Sequence, residues 1–530
     1  MTYQLADLFE AVVDADPDRE ILVVGERRLS YRELDERANR LAHVLRAHGV
    51  GPGDAVGLQL ANGSEYVEGM LAAFKLRAVP VNINYRYVER ELRYLYEDSG
   101  ICALLVHRAF APRAAAALSD PLKVVLDVDD GSGEQPVAGS SPYEEVLERA
   151  SASRPEAQGR SSDDLYLIYT GGTTGMPKGV VWRHEDIFKS AMGGGDLTQG
   201  GDHVSGPAEL AQRLPENGIT ALAAPPLMHA AAHWLTFHQL FTGGKVVLLP
   251  LGRFDPREVW ATIAKESVFN VVAVGDAMVK PLLDALEQDP SLATDSLWVI
   301  ASSGAALSQH NKDRLAALLP GRMVVDSLGS SETGVLGPKE GGTFKLNEHT
   351  AVLDAEGAVV QPGDGRTGKV ARRGHVPLRY HNDPEKSAAT FVELDGVRWA
   401  LTGDEATVDA DGSVRVLGRG SQCINTGGEK VYPEEVEGPI KAHPAVEDAL
   451  VVGVPDERWG ERVAALVQLV PGASLELTDL QDHLRAHVAG YKVPRDLVLV
   501  DKVVRSPAGK ADYRWATQAA ADSASPRKDA

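Results

Sequence analysis

The residues best suited to chemistry lie in one short stretch, YTGGTTGMPKG, at positions 169–179. It offers glycines that let a ligand approach the backbone, hydroxyls on Thr170, Thr173 and Thr174, and the ammonium of Lys178. The common nucleotide-binding loop places Lys directly after glycine, whereas Pro177 precedes the lysine here. Composition leaves two interpretations open: a phosphate-binding loop of another kind, or a flexible surface loop between the strand LYLIYT and a helix.

The composition of the chain limits its partners and its compartment. The chain has 530 residues and a formal net charge of −21, so its surface is expected to repel nucleic acid and anionic membranes. Its two cysteines, Cys102 and Cys423, exclude a disulfide scaffold and indicate a reducing compartment. No secretory leader is visible at the N-terminus and no apolar run reaches ~18 residues. We therefore expect a cytoplasmic protein with no nucleic-acid partner and no membrane span.

The pattern of apolar residues predicts an α/β fold for most of the chain. Up to about residue 325, short β-branched runs alternate with amphipathic segments, which is typical of parallel sheets covered by helices. Ser30 and Glu33 predict a capping box for the first clear helix, and Asp255 predicts another helix start. Two regions, 130–162 and 193–217, are predicted to be loops or insertions.

The later part of the chain predicts a change of architecture. Beyond about residue 345 the alternation becomes that of antiparallel strands, which predicts a β-rich lobe. After Arg419 the sequence predicts a compact α+β domain. We expect a large domain at 1–417, a hinge at 418–421 and a small mobile domain at 422–530, with a frayed tail from about residue 519.

Four further motifs follow the first in a fixed order. They are DSLGSSETG from 326, LTGDEA from 401, LGRGSQCINTGGEKVYPEEVE from 417 and SPAGKADY from 506. Together the five motifs resemble the adenylate-forming acyl-activating superfamily and, within it, the fatty acyl-CoA and steroid-side-chain-type CoA synthetases. The resemblance covers nearly the whole chain. It implies an AMP-forming acid–CoA ligase that uses ATP, Mg²⁺ and coenzyme A and has a small-molecule carboxylic acid as its substrate.

The resemblance also assigns roles in binding ATP and the metal. It implies three catalytic residues: Lys178 on the phosphates, Glu332 on magnesium with Thr174 as a second contact, and Lys510 on the carboxylate and the α-phosphate. A glutamate and a few protein oxygens suit magnesium on a triphosphate. The complete set of implied ATP-binding residues is Thr170, Gly171, Gly172, Thr173, Thr174, Gly175, Lys178, Gly304, Ala305, Ala306, Asp326, Ser327, Ser331, Asp404, Arg419 and Lys510.

Each of these side chains also has a structural interpretation. Taken alone, Glu332 is more often a helix cap or a surface residue, Asp404 a turn residue and Lys510 a solvated charge. The resemblance places Asp404 and Arg419 beside the ribose, and Gly304 to Ala306 along the adenine slot. Two positions depart from the family pattern: Leu328 replaces the usual aromatic, and Ser421 stands at the hinge.

The sites for the other two substrates are also implied by the resemblance. Gly427 and Gly428 are expected to face the tunnel for the pantetheine of coenzyme A, where a narrow thiol must pass close to the backbone. Their structural interpretation is a tight turn. His229 is expected to gate the acyl pocket, with His233 along the same wall, although a histidine beside alanines is equally a core residue.

Other reactions remain compatible with these motifs. The same ATP site could load an acyl group onto a carrier protein, or activate nitrite for diazotisation of an aryl amine. A non-catalytic nucleotide-binding protein is disfavoured because Lys178, Glu332 and Lys510 are all present. A bulky apolar, fatty or aryl acid is the expected substrate. A homodimer is left open.

Overall fold

A computed structural model describes residues 3–156, 158–170, 176–196, 202–250, 252, 254–305, 307–340, 343–419, 422–426, 429–456, 460–488, 490–505 and 509–524. The strands are β1 (Glu20–Val24), β2 (Arg27–Ser30), β3 (Ala55–Gln59), β4 (Val79–Asn82), β5 (Ile101–His107), β6 (Val124–Val128), β7 (Ser141–Pro142), β8 (Leu165–Thr170), β9 (Lys178–Arg183), β10 (Thr220–Ala223), β11 (Lys245–Leu248), β12 (Asn270–Ala273), β13 (Val299–Ser302), β14 (Met323–Ser330), β15 (Gly334–Glu340), β16 (Thr343–Lys345), β17 (Thr350–Leu353), β18 (Thr367–Arg373), β19 (Arg379–Tyr380), β20 (Phe391–Leu394), β21 (Val397–Val408), β22 (Ser413–Arg419), β23 (Ile424–Thr426), β24 (Glu429–Val431), β25 (Val446–Asp456), β26 (Gly460–Leu469) and β27 (Asp496–Leu499).

The helices lie between these strands. They are α1 (Leu5–Ala15), α2 (Tyr31–Ala47), α3 (Ser64–Lys75), α4 (Glu89–Ser99), α5 (Ala111–Ala117), α6 (Tyr143–Arg149), α7 (His184–Ala191), α8 (Pro207–Gln212), α9 (Ala230–Thr242), α10 (Pro256–Lys265), α11 (Gly275–Gln288), α12 (Gln309–Leu318), α13 (Pro384–Thr390), α14 (Pro433–Lys441), α15 (Leu477–Arg485) and α16 (Tyr513–Ala524). Short 3₁₀ turns cover Arg108–Phe110, Gly193–Gly195 and Gly490–Lys492.

The largest sheet changes from parallel to antiparallel at β14. Its order is β17-β18-β21-β22-β16-β15-β14-β13-β12-β10-β11-β1-β2, with β20 paired to β21. The strands from β1 and β11 through β14 run parallel, and those from β14 to β17 run antiparallel. The carboxyl ends of β12, β13 and β14 therefore meet the β-rich lobe, and open α/β sheets bind ligands at such an edge.

A second sheet holds the glycine-rich stretch, and a third forms the small α+β unit. The second sheet has the order β19-β9-β8-β4-β3-β5-β6-β7, and the third has β24-β23-β26-β25 with β27 beside β26. Sheet membership changes between Arg419 and Ile424. Helices cover the parallel strands, and apolar cores lie on the faces of each sheet. This arrangement confirms the expected α/β fold with a β-rich lobe and a smaller α+β domain.

Two local predictions are confirmed in atomic detail. At the start of α2, the Glu33 amide donates to Ser30 Oγ at 3.3 Å and the Ser30 amide donates to Glu33 Oε2 at 2.8 Å. The same helix buries Leu34, Leu41 and Leu45 completely, as its apolar spacing requires. Asp255 caps α10 by accepting a hydrogen bond from the backbone of Arg257.

Three local predictions are wrong. The segment after the glycine-rich stretch is the strand β9, because KGVVWR pairs with β8 and its β-branched residues fill a sheet position. A helix, α6, forms inside the predicted loop 130–162, where Tyr143 and Leu147 are buried one turn apart. The predicted loop 193–217 contains the short helix α8, which begins at Pro207 and buries Leu210.

Candidate active site

The glycine-rich stretch joins two paired strands. Thr170 ends β8 and lies opposite Lys178, the first residue of β9, so the two ends of the connection are held together. The backbone before it is fixed, because Tyr169 N donates to Asn82 Oδ1 at 2.7 Å and Asn82 Nδ2 donates to Tyr169 O at 2.9 Å. The expected phosphate contacts Gly171, Gly172, Thr173, Thr174 and Gly175 lie outside the described residues.

Lys178 and Glu332 are brought together through a residue that sequence reasoning missed. The Lys178 ammonium lies 5.4 Å from the centroid of the Tyr380 ring, and the Tyr380 hydroxyl donates to Glu332 Oε1 at 2.9 Å. Tyr380 pairs with Val180 across β19 and β9, and Lys178 lies two residues before Val180 on the same strand face. The chain around Tyr380, PLRYHNDPEKSAATF, carries no pattern that would have identified it.

The turn that carries Ser331 and Glu332 is held by two side chains. Trp182 Nε1 donates to the Ser331 carbonyl at 3.0 Å. The Arg372 guanidinium, which is buried, donates to the carbonyls of Thr333 at 2.9 Å and Val335 at 2.5 Å. Burial lowers the pKa of Arg372 to about 10. Sequence reasoning missed Trp182 and Arg372, because their partners here are backbone carbonyls, which leave no pattern of side chains.

Asp326 has one paired and one unpaired oxygen. Its Oδ2 accepts from Lys312 Nζ at 2.7 Å, while Oδ1 is buried and has no hydrogen-bond partner in the described part of the chain. Asp326 lies opposite Ser302 across β13 and β14, so its backbone is at the edge where Gly304 and Ala305 follow. An unpaired buried acceptor at this edge fits a ligand with a donor group, such as the amino group of adenine. Ser327 lies beside it, and Ala306 is outside the described residues.

The two expected ribose residues face each other. Asp404 on β21 and Arg419 on β22 are directly opposite in the antiparallel ladder. The Asp404 amide donates to Thr402 Oγ1 at 3.1 Å, which fixes the backbone on one side of the pair. The side chain of Arg419 and the glycines Gly427 and Gly428 lie outside the described part of the molecule.

Gly509, the residue before Lys510, lies against the large domain beside the carboxyl end of β12. Gly509 has a φ of +73°, and a Cβ there would lie 2.7 Å from the Cβ of Ala277 in the first turn of α11. A Cβ on Gly304 and one on Gly509 would each lie 3.9 Å from Val274 Cγ1. The predicted adenylation lysine is thus adjacent to a residue that contacts the carboxyl end of β12.

The two predicted pocket histidines have different surroundings. Burial, together with the positive charges of Lys510 and Arg86, lowers the pKa of His229 to about 4, and His229 Nε2 has no hydrogen-bond partner among the described residues. His233 is 3% exposed, and its two ring nitrogens lie 3.0 Å from the Tyr166 hydroxyl and 3.1 Å from the Tyr66 hydroxyl. His229 therefore lies within the electrostatic field of Lys510, whereas His233 is a hydrogen-bonded residue of the core.

A polar cavity adjoins Lys178. Its volume is about 170 Å³, and its lining consists of Tyr94, Asp98, Met176, Lys178, His381, Asn382, Asp383 and Lys386. The lining carries the ammonium groups of Lys178 and Lys386 and the carboxylates of Asp98 and Asp383, and Lys386 pairs with Asp383 at 2.8 Å.

The donor set near Glu332 suits a metal that arrives on a ligand. Among the described residues, no group of three His, Cys, Asp or Glu side chains could hold a metal ion. Glu332 is partly exposed, and one of its oxygens accepts from Tyr380. Magnesium on a triphosphate needs only one or two protein carboxylates, so this set fits Mg²⁺ carried by ATP.

Comparisons with known proteins identify the family of this chain. The sequence matches the AMP-binding enzyme family over residues 9–378 and the AMP-binding enzyme C-terminal domain over residues 435–510. It is 48% identical over 534 residues to a 3-oxocholest-4-en-26-oate–CoA ligase of Rhodococcus rhodochrous, covering 97% of this chain and 96% of the relative. It is 46% identical over 533 residues to a medium/long-chain-fatty-acid–CoA/3-oxocholest-4-en-26-oate–CoA ligase of Mycolicibacterium smegmatis, with coverage of 97% and 96%.

A solved structure has the same fold. The crystal structure of the anthranilate CoA ligase AuaEII with anthranoyl-AMP superposes with a TM-score of 0.85 at 25% identity, covering 99% of this chain and 98% of that one. None of the helices in the described ranges has the length and apolar content that crossing a membrane would need.

Proposed function

This chain belongs to the AMP-binding enzyme family and is an acid–CoA ligase, and from that premise we propose that its substrate is a large apolar acid, either a medium- or long-chain fatty acid or a steroid side-chain acid. The observation that carries the reaction is the position of Gly509, the residue before Lys510 in the small domain, where an added Cβ would lie 2.7 Å from Ala277 Cβ and 3.9 Å from Val274 Cγ1 at the carboxyl end of β12. The relatives that cover 97% of the chain support the substrate class. They do not favour nitrite or a carrier protein.

The reaction has two halves. The acid carboxylate attacks the α-phosphorus of ATP, which releases pyrophosphate and gives an acyl-adenylate, and the thiol of coenzyme A then displaces AMP. Adenylation converts a poor leaving group into a good one. We assign Lys510 to the developing charge on the carboxylate and α-phosphate, where preorganised cations are worth most. Gly427 and Gly428 remain our proposal for the thiol path.

The remaining roles follow from the contacts around the nucleotide edge. We assign Asp404 and Arg419 to the ribose, because they lie opposite each other on β21 and β22. We assign Lys178 and the adjoining glycine-rich stretch to the β and γ phosphates. Mg²⁺ held by Glu332, with Thr174 as a second contact, would neutralise charge on those phosphates. His229, whose Nε2 is unpartnered among the described residues, is assigned to the carboxyl end of the acid pocket.

We also propose a domain boundary, a cellular compartment and an oligomeric state. We place the domain boundary at 418–421, which is supported by the change of sheet between β22 and β23. A cytoplasmic location is supported by the low cysteine content, since Cys102 and Cys423 are the two cysteines in 530 residues. A homodimer would be tested by light scattering of the purified chain.

The test is an acid panel with purified protein, ATP, Mg²⁺ and coenzyme A. The panel contains 3-oxocholest-4-en-26-oate, palmitate, octanoate, benzoate, cinnamate and acetate, and AMP and acyl-CoA are measured by mass spectrometry. We expect thioesters of the steroid or fatty acids. Turnover of acetate alone would contradict the substrate class, and AMP release only with nitrite and an aryl amine would contradict the reaction.

The role of Lys510 is tested with the same assay divided into halves. Lys510→Ala is expected to reduce pyrophosphate release at least ~100-fold, because the charge that stabilises the transition state is lost. Thioester formation from a supplied acyl-adenylate should change much less. An equal loss in both halves would contradict the assignment.

A further inference from the structure

We propose that Tyr380 is a positioning residue for adenylation, which holds Glu332 and Lys178 in the arrangement that receives metal-bound triphosphate. This inference rests on the proposed function, since it takes Glu332 as the metal carboxylate and Lys178 as the phosphate lysine. It is carried by two contacts of one side chain: the hydroxyl donates to Glu332 Oε1 at 2.9 Å, and the ring lies 5.4 Å from Lys178 Nζ.

Tyr380 is itself fixed in place. It is 6% exposed, and its ring packs against Phe391 with centroids 5.2 Å apart. Its amide donates to Ser387 Oγ at 2.9 Å, and β19 pairs with β9. A side chain with one buried rotamer can hold a partner without losing much conformational entropy when the ligand binds.

The bond to Glu332 joins two sheets. Glu332 lies in the turn between β14 and β15 of the largest sheet, whereas Tyr380 lies on β19 at the edge of the second sheet. The backbone of the turn is already tied by Trp182 and Arg372, so the hydroxyl of Tyr380 fixes the remaining freedom, which is the orientation of the carboxylate. With Oε1 accepting from Tyr380, Oε2 remains for the metal.

Partners that orient a metal-binding carboxylate affect metal affinity. Removing such a partner typically lowers affinity by about 10- to 100-fold. The ring has a separate effect on Lys178, because the face of an aromatic ring attracts an ammonium group and so helps to hold the Lys178 side chain in position. Two separable losses of nucleotide affinity are therefore expected. Removing the hydroxyl should cause a loss that depends on Mg²⁺, and removing the ring should cause a loss that does not.

The experiment measures binding of α,β-methylene-ATP by calorimetry, with EDTA or with limiting Mg²⁺. Tyr380→Phe removes only the hydroxyl and is expected to weaken binding about tenfold with Mg²⁺ and to leave binding in EDTA unchanged. Tyr380→Leu also removes the ring and is expected to weaken binding in EDTA by about two- to fivefold. Raising Mg²⁺ should restore the occupancy of Tyr380→Phe.

A matched control lies elsewhere in the large domain. The Tyr143 hydroxyl donates to Glu68 Oε2 at 2.6 Å between α6 and α3, so Tyr143→Phe deletes the same kind of bond far from the nucleotide edge. It is expected to lower the unfolding temperature and to leave the Mg²⁺ dependence of binding unchanged. An equal effect of Tyr143→Phe and Tyr380→Phe on nucleotide binding would overturn the inference.

A third variant distinguishes failure of this inference from failure of the proposed metal role. If Glu332→Gln abolishes the Mg²⁺ dependence and Tyr380→Phe leaves it intact, the positioning role is overturned and the metal role stands. If Glu332→Gln also leaves the Mg²⁺ dependence of nucleotide binding intact, Glu332 is not the metal ligand and the inference about Tyr380 fails as well. Loss of adenylation in Lys510→Ala would still test the reaction independently.

Discussion

At the scale of single residues, surroundings decide what a histidine does. His229 and His233 lie four positions apart at the start of α9, and sequence reasoning treated them as one wall of a pocket. His233 is enclosed by Tyr66 and Tyr166, whereas His229 has an unpartnered Nε2 within the described residues and lies under the field of Lys510. His233 therefore stabilises the core, and His229 remains our proposal for a residue of the acid pocket.

Buried neutral histidines predict loss of stability in acid. Burial lowers the pKa of His233 to about 3, below its usual 6.5, so the unfolded chain binds a proton that the folded chain excludes. The stability contributed by this residue is complete above pH 6.5 and is lost as the pH falls toward 3. Wild type should lose up to ~1.4 kcal/mol of unfolding free energy per pH unit from His233 alone.

His233→Gln is the test of this prediction, since glutamine does not titrate and retains polar atoms. The free energy of unfolding in urea is measured at pH 7.5, 6 and 5. We expect a shallower pH slope in His233→Gln than in wild type and an unchanged slope in His310→Gln, which replaces an exposed histidine on α12. Identical slopes in all three proteins would show that His233 is not the titrating group.

At the scale of elements, Gly509 lies against Ala277 in the first turn of α11. Gly509→Ala adds a methyl group that would lie 2.7 Å from the Cβ of Ala277, so the loop must withdraw from the helix. Because a displacement of ~1 Å can cost on the order of 100-fold in rate, we expect pyrophosphate release to fall at least about tenfold. Thioester formation from a supplied acyl-adenylate should be nearly unaffected.

Gly472→Ala is the control for backbone strain. Gly472 lies in the same small domain with a φ of +83°, close to the +73° of Gly509, and a Cβ there meets nothing within 4 Å. Both variants therefore carry the same left-handed strain, but only Gly509→Ala disturbs docking. If both variants lose adenylation equally, strain in the small domain is responsible and the docking contact is not.

At the scale of the whole molecule, two polar contacts among the described residues join the large domain to the small one. Lys280 on α11 and Glu447 on β25 form an ion pair at 2.9 Å, and the Tyr432 hydroxyl donates to Glu405. The Lys280 and Glu447 side chains are 30% and 31% exposed, so their pair is weak and easily broken. Weak contacts would suit the small domain if it is mobile, as the sequence predicts.

Charge reversal at this pair predicts a measurable bias between the half-reactions. Glu447→Lys would place two lysines together and disfavour the docked arrangement, so single-turnover adenylation should fall about two- to fivefold, as expected for a pair worth up to ~1 kcal/mol. Adding Lys280→Glu should restore most of the rate. A double variant no faster than Glu447→Lys would show that the pair does not control docking.

Sequence reasoning recovered the residues that carry a motif and missed those that support them. Lys178, Asp404 and Lys510 were identified because their neighbours form recognisable patterns. Tyr380 was missed because its partners are 48 and 202 positions away, and its own segment shows no chemical pattern. The strand β9 was predicted as helix for a similar reason, since its pairing with β8 decides its structure and local propensity does not.

The position of β1 in the largest sheet has a consequence for synthesis. This apolar strand, EILVV, pairs in parallel with β11, and only β2 is adjacent in the chain. The ribosome delivers β11 about 220 residues after β1, which is roughly 10–45 s at ordinary elongation rates. During that interval Ile21, Leu22 and Val23 lack the strand that covers their edge, while the strands β3 to β9 of the second sheet can already pair. A nascent chain stalled before Lys245 should therefore recruit chaperones through its N-terminal hairpin, and one stalled well beyond Leu248 should release them.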